Sequence, residues 1–214
     1  ERAYSQEYLG VASIDKNQFY SDEWIERICV IDEKESTKTS GDFFGGFDIA
    51  RMGGDQFTAE ILRRVEKNNI TQVDHYTRKL LTTIDNENLI IEFTNKWNCI
   101  YSGIDAGAGT LGVSVYDHLL KVDGIKRKII AMNNRQIVDK EEKKQRLFNE
   151  DMHDNLRAMG ERKEIKLFNK EEIKSSLRSV QWDLVEDAHG LKKVKIHGRL
   201  THIAEGLIRA ALLA

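Results

Sequence analysis

The sequence predicts an α/β protein on a mixed sheet of five or more strands, three antiparallel then two parallel, with helices on both faces. Two observations carry that prediction. Three strand-like segments joined by tight turns come first, which makes an antiparallel meander. Helical and strand-like segments then alternate, which makes crossover units with parallel strands.

The elements follow in chain order. Ser21-Asp22-Glu23 ahead of Trp24-Ile25 reads as a helix start, with a capping hydroxyl and early acids. Residues 33–42 (EKESTKTSGD) are polar and turn-rich and read as a loop. Phe43–Ala50 (FFGGFDIA) is a short apolar run broken by one aspartate, and a glycine turn at 51–55 follows. Segments 56–66 and 70–78 flank Lys67-Asn68-Asn69, a hairpin-type turn. Between Asn86 and Asn98, Leu89, Ile90, Phe93 and Trp97 recur with helical spacing. Cys99–Ala106 (CIYSGIDA) is a buried-type strand, again with one aspartate near its end. Gly107-Ala108-Gly109 turns the chain into a helix over 110–120, and Lys128–Met132 is a fifth strand. Residues 141–162 read as one charged helix, 170–180 as another, and 184–199 as a hairpin. The Ala- and Leu-rich end, 201–214, reads as a buried helix. This order suits a ribonuclease-H-like fold, in which the first and fourth strands lie side by side.

Composition sets the bounds. The chain has 214 residues, 40% of them hydrophobic and 32% charged, enough for a sizeable core under a charged surface. No apolar run is long enough for a membrane span. It begins at Glu1 without a Met, so it is expected to be a piece of something longer. Two cysteines, Cys29 and Cys99, are too few for a disulfide framework, and a reducing intracellular setting is the simpler reading. Lysine and arginine number 33 against 35 acids, a net charge of −2. That excludes a globally basic nucleic-acid binder but not local basic patches.

Asp48 and Asp105 are the first candidates for chemistry. Each sits near the end of an apolar strand, where an unsatisfied carboxylate is costly. On neighbouring strands they would face each other and repel unless a cation lies between them, and oxygen-rich sites of that kind suit Mg²⁺ or Mn²⁺. The plainer reading is a pair of turn or capping aspartates. His202 and Glu205 share one face of the last helix. Glu205 is either a third carboxylate presented to Asp48 and Asp105, or the partner of Arg209 in an exposed i,i+4 ion pair. Asp55 is a metal ligand, direct or through water, or a turn residue. Asp85 and Asp117 read as surface residues, and His75, His118 and His153 as solvent-facing or structural. Clusters Lys126-Arg127-Lys128, Lys143-Lys144-Gln145-Arg146 and Lys192-Lys193-Lys195-Arg199 are candidate phosphate contacts. The last is favoured because it leads into the His202 helix.

These motifs together resemble the nuclease domain of a phage or viral terminase large subunit, the DNA-packaging motor protein. Ser5-Gln6-Glu7-Tyr8-Leu9, Asn17-Gln18-Phe19-Tyr20 and Trp24-Ile25 resemble the family's bridge after the ATPase domain. Gly46-Phe47-Asp48-Ile49-Ala50-Arg51 with Gly54-Asp55 resembles its first acidic motif, and Ile104-Asp105-Ala106-Gly107-Ala108-Gly109 its second. Thr201-His202-Ile203-Ala204-Glu205-Gly206 with Arg209-Ala210 resembles its third, with glutamate where many relatives have aspartate. The resemblance implies a bridging segment over 1–42 and a nuclease domain over 43–214. It implies endonucleolytic cleavage of double-stranded concatemeric viral DNA by two Mg²⁺ or Mn²⁺ ions. Asp48 would bridge them, Asp105 and Glu205 would each hold one, and His202 would orient water or phosphate. Implied partners are double-stranded DNA, an N-terminal ATPase domain, the small terminase subunit and the portal. The setting implied is the host cytoplasm, with no membrane and with the isolated domain a monomer. Two other readings stay open: a Holliday-junction resolvase or integrase-type nuclease, and a non-catalytic DNA- or protein-binding module of the same fold.

Overall fold

The computed structural model describes residues 17–32, 40–50, 55–139, 146–186 and 192–214. At its centre is a seven-stranded mixed sheet. The predicted meander is β2 (Asp42–Asp48), β3 (Gln56–Glu66) and β4 (Asn69–Lys79), paired antiparallel. The predicted parallel pair is β5 (Tyr101–Asp105) and β6 (Ile129–Met132). The first and fourth strands of that series, β2 and β5, are neighbours and run parallel. On the far edge, β9 (Ile165–Phe168) pairs parallel with β4 and with β1 (Cys29–Ile31). The sheet order is therefore β1-β9-β4-β3-β2-β5-β6.

Helices cover both faces. On one lie α2 (Thr83–Trp97) and α3 (Leu111–Leu119), over a core that includes Phe43, Phe47, Phe57, Ile90, Trp97 and Ile104. On the other lie α1 (Asp22–Ile28), α4 (Phe148–Glu161), α5 (Glu171–Arg178) and α6 (His202–Leu213). Their core joins Tyr20, Trp24, Leu156, Leu167, Ile173 and Leu207. The expected bridging segment over 1–42 therefore contributes α1 and β1 to this core, while residues 1–16 and 33–39 lie outside the described residues. So do residues 51–54, where the glycine turn is expected.

Local chemistry sets the helix starts. Ser21 Oγ accepts from the Trp24 amide, as its position predicts. Helix α2 begins three residues earlier than its apolar periodicity. Thr82 and Asp85 form a reciprocal capping box there, so Asp85 is a structural cap rather than a plain surface acid. A box of this kind stabilises a helix by about 1 kcal/mol.

The one long helix expected over 141–162 needs correction. Residues 140–145 lie outside the described residues, and β8 (Arg146–Leu147) pairs antiparallel with β7 (Ile137–Asp139) before α4 starts at Phe148. Charge alone misled: Glu and Lys favour helices, but so short a ribbon leaves little periodic signal. The hairpin expected over 184–199 is present as β10 (Gln181–Glu186) and β11 (Lys192–His197). No helix among the described residues is long and apolar enough to cross a membrane.

Candidate active site

Side chains alternate between the two faces of a strand. In β2, Phe43 and Phe47 face α2, so Phe44, Gly46 and Asp48 face α6. In β5, Ile104 packs toward α2 and α3, and Ser102 Oγ meets Thr94 Oγ1 of α2. Gly103 and Asp105 therefore face α6. The last β2–β5 pair is Phe47–Ile104. One step further, Asp48 and Asp105 stand on the same face at the C-terminal ends of adjacent parallel strands.

The third element arrives through two glycines. Helix α6 lies directly on β2 and β3 because Gly46 and Gly206 have no side chains. A Cβ on Gly46 would collide with the Gly206 carbonyl oxygen, and one on Gly206 would press on Glu60 and on Thr58 Oγ1. The Thr58 hydroxyl also donates to the His202 carbonyl at 3.0 Å. This close approach carries His202 and Glu205 to Asp48.

The contacts are specific. His202 Nδ1 donates to Asp48 Oδ2 at 2.8 Å. The Arg209 guanidinium lies between two acids. Its Nη1 is 3.4 Å from Asp48 Oδ1 and 2.7 Å from the Glu205 carbonyl oxygen, and its Nη2 is 3.0 Å from Glu205 Oε2. Asn134, just past the end of β6, donates to Glu205 Oε2 at 3.2 Å. His153 of α4 brings Nε2 to 3.6 Å from Glu205 Oε1, an electrostatic contact rather than a full hydrogen bond. The other ring nitrogen of His153 meets the buried Tyr20 hydroxyl at 2.8 Å.

Burial raises the Asp48 carboxyl above its ordinary value; His202 and Arg209 oppose that, while Glu205 reinforces it. The hydrogen bond to Asp48 raises His202, against its partial burial, and the charges of Asp48, Asp55 and Glu205 add to the rise. Burial alone would raise Glu205 too. There His153, Arg209 and Asn134 more than offset it and hold the carboxyl down at about 2.

The structure thus brings Asp48, His202 and Glu205 together and sets Asp105 beside Asp48. Asp105 Oδ1 accepts from the Gly107 amide at 3.0 Å, so the turn holds its orientation. Asp55 is exposed at the start of β3, close enough for its charge to act on His202. The Glu205–Arg209 pair exists, but not on an exposed face: Arg209 is 1% exposed. That expectation is corrected because Arg209 turns into the sheet toward Asp48. Among the described residues no three His, Cys, Asp or Glu side chains form a ready metal-binding group. The donor set still fits a hard divalent cation: three carboxylates from β2, β5 and α6, with a cation already drawn between two of them.

The basic clusters fall at different ends. Lys126, Arg127 and Lys128 precede β6, at the end of the sheet opposite Asp105. Lys126 pairs with Asp123, and Lys128 donates to Asn98. Lys195 and Arg199 are exposed and lead into α6 at the acid end; Lys192 and Lys193 are placed by backbone alone, in β11. Residues 143–145 lie outside the described residues, and Arg146 pairs with Asp151.

Sequence reasoning missed Arg209 as a site residue, Asn134, His153 and Tyr20. Spacing from Glu205 and the third motif pointed to Arg209, but not to its contact with Asp48. The other three reach the site through tertiary packing, which leaves no local pattern.

No family model matches the sequence, and no curated protein matches it. Solved structures do. The large terminase nuclease from thermophilic phage G20c superposes with a TM-score of 0.67 over 91% of this chain and 97% of that one, at 14% identity. The chain has the fold of a phage large-terminase nuclease domain. The Thermus phage P74-26 large terminase nuclease domain agrees at TM-score 0.64 and 14% identity, over 91% of this chain and 94% of that one. The G20c terminase nuclease has also been solved with bound magnesium and with bound cobalt, at TM-score 0.65 each. A large terminase from another thermophilic bacteriophage matches over 98% of this chain but 48% of its own length, at 16% identity and TM-score 0.61. This chain thus spans about half of that larger protein.

Proposed function

We propose that this chain is the nuclease part of a terminase large subunit and cleaves concatemeric double-stranded viral DNA by metal-dependent phosphodiester hydrolysis. One observation supports the reading most: Asp48 and Asp105 end adjacent parallel strands on the face covered by α6, which brings Glu205 and Arg209 to Asp48, in a fold shared with terminase nucleases. Asp48, Asp105 and Glu205 would hold the metal, with Asp55 near enough to take part through water. A Mg²⁺ or Mn²⁺ pair supplies an activated water and charge neutralisation at the leaving 3′ oxygen. The chain's own residues do the rest. His202, anchored on Asp48, orients water or a phosphate oxygen with its free ring nitrogen. Tyr20, His153 and Asn134 fix the rotamer of Glu205. Lys192, Lys193 and Lys195 of β11, with Arg199 just beyond its end, would contact the DNA backbone, and Lys126, Arg127 and Lys128, at the end of the sheet opposite Asp105, would take no part in positioning the scissile phosphate. In the larger protein the partners are an ATPase domain, the small subunit and the portal.

Supercoiled-plasmid digestion tests this reading. Nicking in Mn²⁺ that disappears in EDTA and in Asp48→Asn supports it. Full activity in the Asp48→Asn protein excludes it.

A further inference from the structure

Four oxygens belong to the carboxylates of Asp48 and Glu205, and each already faces a protein donor. Asp48 Oδ2 accepts from His202 and Asp48 Oδ1 faces Arg209. Glu205 Oε2 accepts from Arg209 and Asn134, and Glu205 Oε1 faces His153. Arg209 is the one member of this group with a permanent charge. It is among the largest fully buried side chains, and its Nε has no partner. A buried guanidinium with an unsatisfied nitrogen is a poor stabiliser in itself, since desolvation offsets much of its attraction. Its position explains it better: one planar fork reaches two acids from different elements, and no other cation among the described residues makes an ion pair with both.

We propose that Arg209 is the built-in counter-cation of this acid pair and competes with the divalent ion for it. The inference rests on the metal reading above. With Arg209 in place the charge of the two carboxylates is partly offset and they are held in register without metal. A divalent cation then enters against a positive charge and must take oxygens from the guanidinium. The metal-free domain therefore keeps its acids assembled, and the affinity for metal is tuned down. Loading becomes sensitive to anything that adds negative charge at the site, and a DNA phosphate is such a group.

The test is calorimetric titration of Mn²⁺ into the DNA-free protein, with no readout of cleavage. Arg209→Gln keeps a hydrogen-bonding group beside Glu205 and removes the charge. It is expected to bind Mn²⁺ at least tenfold more tightly than the unmodified protein. Arg209→Lys keeps the charge but loses the two-acid fork, and its affinity is expected to fall between those two; it also serves if Arg209→Gln does not fold. Affinity equal to or weaker than the unmodified protein in both variants overturns the proposal and leaves the metal reading standing. Absence of Asp48-dependent Mn²⁺ binding in every protein, with Asp48→Asn as reference, overturns the metal reading and this inference with it.

Discussion

Glu205 is worth following through its ionisation. Its folded carboxyl sits at about 2, below the ordinary 4.5, because His153, Arg209 and Asn134 outweigh burial. A depressed carboxyl stabilises the fold fully above its unfolded value, and that stability drains as pH falls from about 4.5 through about 2. The shift corresponds to on the order of 3 kcal/mol. Urea unfolding at pH 5 and pH 3 should therefore show a larger loss in the unmodified protein than in Glu205→Gln; equal losses would mean that the carboxylate is not held by these partners. The acids themselves were legible in the sequence, because a lone Asp in an apolar strand and a lone Glu on an apolar helix face violate local pattern. Their partners were not. Arg209 reads as an ordinary i,i+4 mate of Glu205 until the fold turns it toward Asp48. His153 and Tyr20 are 52 and 185 residues away from Glu205, and nothing local relates them.

At the scale of elements, the site depends on how closely α6 lies on β2. Gly46 and Gly206 make that approach, so adding one methyl group has a large effect. Gly46→Ala is expected to lower stability by about 1–3 kcal/mol, as overpacking does. It should also lower cleavage beyond what the fraction unfolded explains, since α6 carries both His202 and Glu205 away from Asp48. Thermal unfolding and plasmid nicking on the same sample separate the two effects; full activity in a folded Gly46→Ala protein would show that the approach is not critical. Most elements could be read from periodicity: the meander, α2, the parallel pair and the final helix all stand where their patterns put them. β7 and β8 could not. They are three and two residues long and pair with each other outside the main sheet, and the charged run beside them mimics helix composition.

For the molecule as a whole, strand order brings acids distant in sequence to one end of the sheet. Because β5 returns beside β2 rather than at the sheet edge, two aspartates 57 residues apart share one face and one end. The same geometry sorts the basic clusters. Lys195→Ala with Arg199→Ala should weaken DNA binding and reduce the salt slope by about 0.9 for each phosphate that is no longer neutralised. Replacing Lys126, Arg127 and Lys128 together should leave that slope unchanged, and a reversed result would put the DNA at the other end of the sheet. The central claim is that Asp48, Asp105 and Glu205 form one metal centre, and Mn²⁺ anomalous diffraction from a crystal of the domain tests it most directly. The account predicts an anomalous peak bound by Asp48, Asp105 and Glu205 at the face covered by α6. Strong Mn²⁺ peaks elsewhere, with none at Asp48, would contradict it.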